Sequence, residues 1–245
     1  ESIPGCLKAW FALKQPIRKL SKSYTMRCIF LAIPILTLAS CGANKYLTSS
    51  TKAADIASVN YFTPLCYIQY IEKGNKAAFS DSLSEISQSK VDSILAVKKT
   101  SFRLSEKIVL DNDTLKQKIE RELAYLVRLI TQRKKLEGIP LTPTIDSILK
   151  SGSQRFALAT VATGFGRRKG NYGGQVAKGA AIGILTLGMA VPTPVKSNVT
   201  LYAFIFDAQK NEIAYYKKSL PVEKEPTDEK AIEKQLTGLF EGYLY

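Results

Sequence analysis

The sequence has no histidine among its 245 residues, and only four cysteines, two methionines and one tryptophan. Without histidine there is no imidazole base, no Ser-His or Cys-His dyad, and none of the commonest metal ligand. Cysteines at positions 6, 28, 41 and 66 form neither a zinc-ligand spacing nor a disulfide framework. A hydrolase built on carboxylates alone stays open as a third-ranked reading, with Glu106, Asp111 and Asp113 the clustered candidates. Capping of the following helix already accounts for the two aspartates. The expectation is a protein that is not an enzyme and needs no metal or cofactor. Long apolar runs are also missing. The uncharged stretch Cys28–Ala39 is well short of the roughly 20 residues that a membrane-spanning helix requires.

Acidic residues are scarce beside basic ones, 21 against 35, for a net charge of +14. Six basic residues and Glu1 precede Cys41, which leaves 29 basic and 20 acidic residues, a net +9, from there on. That balance suits an anionic membrane surface or an acidic partner. The basic residues are scattered through predicted helices rather than interleaved with aromatics, which disfavours nucleic acid.

A Met26-Arg27 start, a short apolar run and then small residues have the shape of a secretory signal. The run ends in Leu38-Ala39-Ser40-Cys41-Gly42, which resembles the lipobox of bacterial lipoproteins. The resemblance implies acylation of the Cys41 thiol and cleavage just before it, with Leu38, Ala39 and Ser40 as the signal-peptidase recognition residues. Gly42-Ala-Asn-Lys45 carries no acid and is similar to lipoproteins of the Bacteroides type, which implies an outer-membrane anchor facing the periplasm. Residues 1–25 then read as an over-extended or unusually long basic leader, 26–40 as the signal peptide, and 41–58 as a lipidated tether that could pack in part. The lone Cys66, inside an apolar run, reads as a small buried hydrophobe.

Residues 59–245 read as one layered α/β domain with a mixed sheet, helices packed on it and a C-terminal helix. Alternating apolar residues predict strands over 59–70, 102–110, 155–165, 198–207 and 212–220. The last two are joined as a hairpin by Ala208-Gln-Lys-Asn211. Helical spacing predicts helices over 80–99, with Leu83, Ile86, Val91, Ile94, Leu95 and Val97 apolar, and over 114–135, with Leu115, Ile119, Leu123, Leu126 and Ile130. A short helix is expected over 144–150. A final one follows Thr227-Asp-Glu229, with Ile232, Leu236, Leu239, Phe240 and Tyr243 on one side.

The glycine-rich insertion 164–194 is the most distinctive stretch. Its basic first part, 164–174, matches neither the P-loop nor the dinucleotide-binding spacing, and a flexible linker is expected over an anion-binding loop. Its apolar second part, 177–191, carries Gly179, Gly183 and Gly188, and reads as a packed helix, a hairpin or a segment entering a membrane. Gly179 and Gly183 lie one helical turn apart, so a helix there would offer a face without side chains for membrane or oligomer contact.

A strand ending Thr163-Gly-Phe-Gly166, the apolar insertion, the strand Leu201-Tyr-Ala-Phe-Ile-Phe-Asp207 and the hairpin Glu212-Ile-Ala-Tyr-Tyr216 together resemble a group of envelope lipoproteins. These are the curli-secretion-channel lipoproteins, the penicillin-binding-protein activators and the N-terminal domain of the Tol translocation protein. The resemblance implies a non-catalytic scaffold or assembly factor whose partners are the bilayer, through the Cys41 acyl chains, and envelope proteins or further copies of itself. The alternative it leaves is an oligomeric secretion-channel subunit.

Overall fold

The computed structural model describes residues 45–110, 112–185 and 195–244. Leu38, Ala39, Ser40, Cys41, Asp111 and Gly188 lie outside the described residues.

The expectation of a single layered α/β domain is met: an eight-stranded mixed sheet carries helices on both faces. The strands are β1 (Leu47–Thr48), β2 (Val59–Phe62), β3 (Leu65–Ile71), β4 (Ala78–Phe79), β5 (Leu104–Ile108), β6 (Phe156–Arg167), β7 (Asn198–Asp207) and β8 (Glu212–Lys218). The helices are α1 (Asp81–Val97), α2 (Asp113–Arg133), α3 (Pro143–Ser151), α4 (Asn171–Leu185) and α5 (Glu229–Phe240). Across the sheet the order runs β1, β8, β7, β6, β2, β5, with β3 on β6 and β4 on β3. Strands β2, β3 and β5 run parallel to their neighbours β6 and β2, while β6, β7, β8 and β1 form antiparallel pairs.

The single strand expected over 59–70 is two segments on the same side of β6. Asn60 pairs with Ala157 but Leu65 with Val161, so the chain takes one extra residue across Thr63-Pro64. Proline lacks a donor for the ladder, and a bulge accommodates it there.

Helices α1 and α5 cover one face, over Leu158, Val199, Leu201, Ile205 and Tyr215. Helices α2 and α3 cover the other, over Ala157, Ala159, Phe204, Phe206 and Ile213. Strand β7 therefore buries both faces, alternating between the two cores, as a central strand must. A shift in the β7–β8 register between Ile205 and Phe206 lets Ile213 and Tyr215 enter opposite cores, although they are two apart.

The buried face of α1 differs from the expected one. Ser84 and Ser87 face inward, while Ile86 and Val97 are exposed. The two serines replace apolar contact with hydrogen bonds: Ser84 Oγ accepts from Ile68 N at 3.0 Å, and Ser87 Oγ donates to Pro226 O at 2.6 Å. Ser80 caps the helix through Leu83 N. Helices α2 and α5 bury the expected stripes, with Gln235 added on α5.

Residues 45–58 are folded rather than extended as a free tether. Strand β1 pairs with β8, and the Tyr46 ring packs on Tyr215 and Tyr243. The compact domain accordingly starts ahead of Val59.

Candidate functional site

The linker expected over 164–174 is ordered, which corrects that reading. Strand β6 continues to Arg167, a turn follows, and α4 starts at Asn171. Gly164 is required by packing, because a Cβ there would lie 2.1 Å from the Asn198 carbonyl oxygen on β7. Gly170 makes the turn at a φ of +87°, a conformation that favours glycine.

The two arginines of this stretch are engaged in holding it. Arg167 is buried and donates through one terminal nitrogen to Gly74 O at 2.8 Å and Asn75 Oδ1 at 3.1 Å. Asn171 Nδ2 donates to the same Gly74 carbonyl, and Arg168 pairs with Glu72 at 3.4 Å. A phosphate-cradling loop would need its backbone N–H groups turned toward a ligand. Here the Phe165 N–H is given to Asn198 Oδ1 and the Arg168 N–H to Ile71 O.

Helix α4 leaves this braced corner with much of its described first half exposed. Gly173, Gly174, Val176, Ala177, Lys178 and Ala181 are exposed. Gly179 and Gly183 fall within its helical span, one turn apart. No helix among the described residues is long and apolar enough to cross a membrane.

Two of the carboxylates singled out in the sequence lie among the described residues. Asp113 opens α2 behind its Asn112 cap, whereas Glu106 is exposed on β5. Asp113 instead borders an acidic groove of about 310 Å³ with Asp81, Glu85, Glu120 and Lys116, floored by Cys66 and Tyr67. Burial raises the Cys66 thiol to about 12, far from a thiolate at neutral pH. Burial, followed by the neighbouring Glu120 carboxylate, also raises the Tyr67 phenol. Among the described residues no cluster of three acidic, cysteine or histidine side chains could hold a metal ion.

A second and larger groove, about 580 Å³, runs between α5 and the chain that leaves β8. Its floor includes Leu220, Val222, Ala231 and Leu239, and Lys217, Lys224, Lys230 and Lys234 stand around it. Sequence reading missed this site. Its lysines alternate with acids along the chain, and only the fold sorts the two signs.

No protein-family model matches the chain, and no curated protein matches it in sequence. Among solved structures it is similar to the PelC dodecamer of Paraburkholderia phytofirmans, at 6% identity over 80% of this chain and 92% of that one, with a TM-score of 0.35. A point variant of the same dodecamer in another crystal form gives 7% identity over 80% and 96%, at the same TM-score.

Proposed function

We propose that this protein is a non-catalytic lipoprotein of the bacterial outer membrane, anchored by acylated Cys41 and facing the periplasm. It serves there as a scaffold or assembly factor. The observation that carries the binding role is α4, a helix without acids whose Val176, Ala177 and Ala181 face solvent. Exposed apolar surface held on a rigid mount is characteristic of a contact site. The bracing by Arg167 and Asn171 supplies the mount. The lipobox at Leu38–Cys41 supports the anchor, and the absence of histidine supports a role in binding rather than catalysis.

A second reading, an oligomeric secretion-channel subunit, draws on the same helix. Gly179 and Gly183 would let the α4 backbones of neighbouring copies approach closely. Envelope crosslinking followed by purification separates the two. Reproducible capture of other envelope proteins, lost when Val176 and Ala181 are replaced by glutamate, supports the scaffold. A ring of identical subunits in detergent supports the channel. A monodisperse monomer without partners overturns both. Incorporation of labelled palmitate, abolished by Cys41→Ser, tests the anchor on its own.

A further inference from the structure

We infer that the lysine-rimmed groove between α5 and the end of β8 is a docking surface for anionic phospholipid, which seats the domain against the membrane. The inference rests on the lipoprotein reading for which membrane is meant, but the site itself is argued from geometry.

Charge sorting makes the groove basic. The segment 217–234 contains five acids and five lysines, but two of the acids are drawn away toward α1 and a third is turned to a helix cap. Glu229 pairs with Lys90 at 2.6 Å and Glu233 with Lys98 at 2.8 Å, both toward α1. Glu223 accepts from Lys196 N, and Glu225 reaches toward Gly166. Asp228, the one acid in the lining, caps α5 through Ala231 N at 3.0 Å. Lys224, Lys230 and Lys234 take part in no ion pair among the described residues. Lys217 is fixed in place by donating to Gly238 O at 2.7 Å.

The floor matters as much as the rim. Leu220 is 67% exposed within this ring of ammonium groups. An apolar side chain sharing a groove with lysines is suited to the headgroup boundary of a bilayer. There the leucine meets glycerol and upper acyl carbons while the lysines reach phosphates. A purely polyanionic partner would leave Leu220 unused.

The position agrees. Tyr46 lies beside Lys217, with the ammonium 5.9 Å from the ring centre, and its hydroxyl donates to Gly242 O. Tyr46, five positions after Cys41 in sequence, therefore lies at the edge of this groove. An anchor at Cys41 and a basic, apolar-floored surface beside Tyr46 would engage one membrane together. One acyl signal alone binds marginally, and a basic patch supplies a second.

The test uses the full-length Cys41→Ser chain, so that acylation plays no part, with vesicles of phosphatidylethanolamine with and without phosphatidylglycerol. Each lysine near an anionic surface is worth about a five-fold gain in binding. The triple change Lys224→Gln, Lys230→Gln, Lys234→Gln should weaken binding to phosphatidylglycerol vesicles about 100-fold. Leu220→Ser should weaken it further. The equal charge loss Lys118→Gln, Arg121→Gln, Arg128→Gln, on the exposed side of α2, should leave binding within about two-fold. Contributions from the basic leader are common to all of these proteins and cancel. Equal losses in the two triple variants overturn the proposal, as does binding that ignores phosphatidylglycerol or tight binding of polyglutamate with no response to vesicles. Palmitate incorporation is read separately. A labelled protein with an inert groove fails only this inference, and a groove-dependent but unlabelled protein fails only the anchor.

Discussion

The hydroxyl of Thr51 lies 2.9 Å from Oδ2 of Asp207, joining residues 156 positions apart. The same hydroxyl lies 2.9 Å from Oε1 of Glu212, while Arg155 reaches Asp207 at 3.2 Å. Burial works against ionisation of Asp207, but donation by Arg155, Thr51 and the Lys210 N–H prevails and holds its carboxyl below the usual range. Glu212 is likewise lowered against the effect of burial, with the Ser50 hydroxyl donating to it at 2.8 Å and the Lys210 charge nearby. A group depressed in the folded state adds stability above its unfolded value of about 4, and that stability is lost as the pH falls through the folded value. Thr51→Ala should cost about 1–3 kcal/mol near neutral pH and less in acid, where the carboxylates are protonated in both states. Urea unfolding at about pH 7 and at successively lower pH, until the loss stops changing, measures both losses. Equal losses would mean that the hydroxyl does not act through the ionised pair.

Gly164 lies on β6 tight against the Asn198 and Val199 backbone of β7. An added methyl would meet the Asn198 backbone, which has no rotamer to give. Gly164→Ala should therefore destabilise by about 2–4 kcal/mol, since the strands must part or the register shift. Gly173, in the first turn of α4, has open space around it. Gly173→Ala should instead stabilise that helix by roughly 0.5–1 kcal/mol. Global unfolding reads the first change and amide exchange along 171–185 the second. A tolerated alanine at 164 would contradict the β6–β7 packing.

Much of the architecture was legible because it is local. The start of α5 after Thr227-Asp-Glu229, the alternation of β7 and the stripe of α2 are each written within a few adjacent residues. The hairpin turn belongs here too, since Asp207 accepts from the N–H groups of Gln209 and Lys210 just beyond it. What escaped depends on distant partners. Glycine and arginine in 164–171 read as a linker by composition. Their order comes from Gly74 and Asn198, whose roles no local pattern announces. The groove escaped for the same reason: the acids that neutralise its lysines in sequence are drawn to Lys90 and Lys98 on another helix.

Glu122 is a further case of function hidden in a charged stripe. It lies on α2, and its carboxylate accepts from Thr144 N at 3.1 Å and Ile145 N at 3.3 Å. Those are first-turn donors of α3. The α3 cap residue, Thr142, makes no side-chain capping bond. Glu122 therefore caps a neighbouring helix from outside it, with the charge favoured by the helix dipole. Glu122→Ala should cost about 1–2 kcal/mol, and Glu122→Gln less, since the amide oxygen can still accept. Thermal unfolding of the two variants decides it. Equal losses would point to packing of the side chain rather than to capping.

Cys66 offers a probe of how firmly the domain is closed. Its thiol is raised to about 12, chiefly by burial, with an Ala162 backbone hydrogen bond and the Lys116 charge acting weakly the other way. At about pH 8 the thiolate fraction is then roughly a thousand-fold below that of an ordinary exposed cysteine, before any steric protection is counted. In a chain with Cys6, Cys28 and Cys41 replaced by serine, a disulfide reagent should label Cys66 only as fast as the domain opens. Denaturant should restore the rate of a free thiol. If native protein were labelled at that free rate, the start of β3 beside α1 would have to open without global unfolding. The acidic groove above it would then be a mobile surface rather than a fixed one.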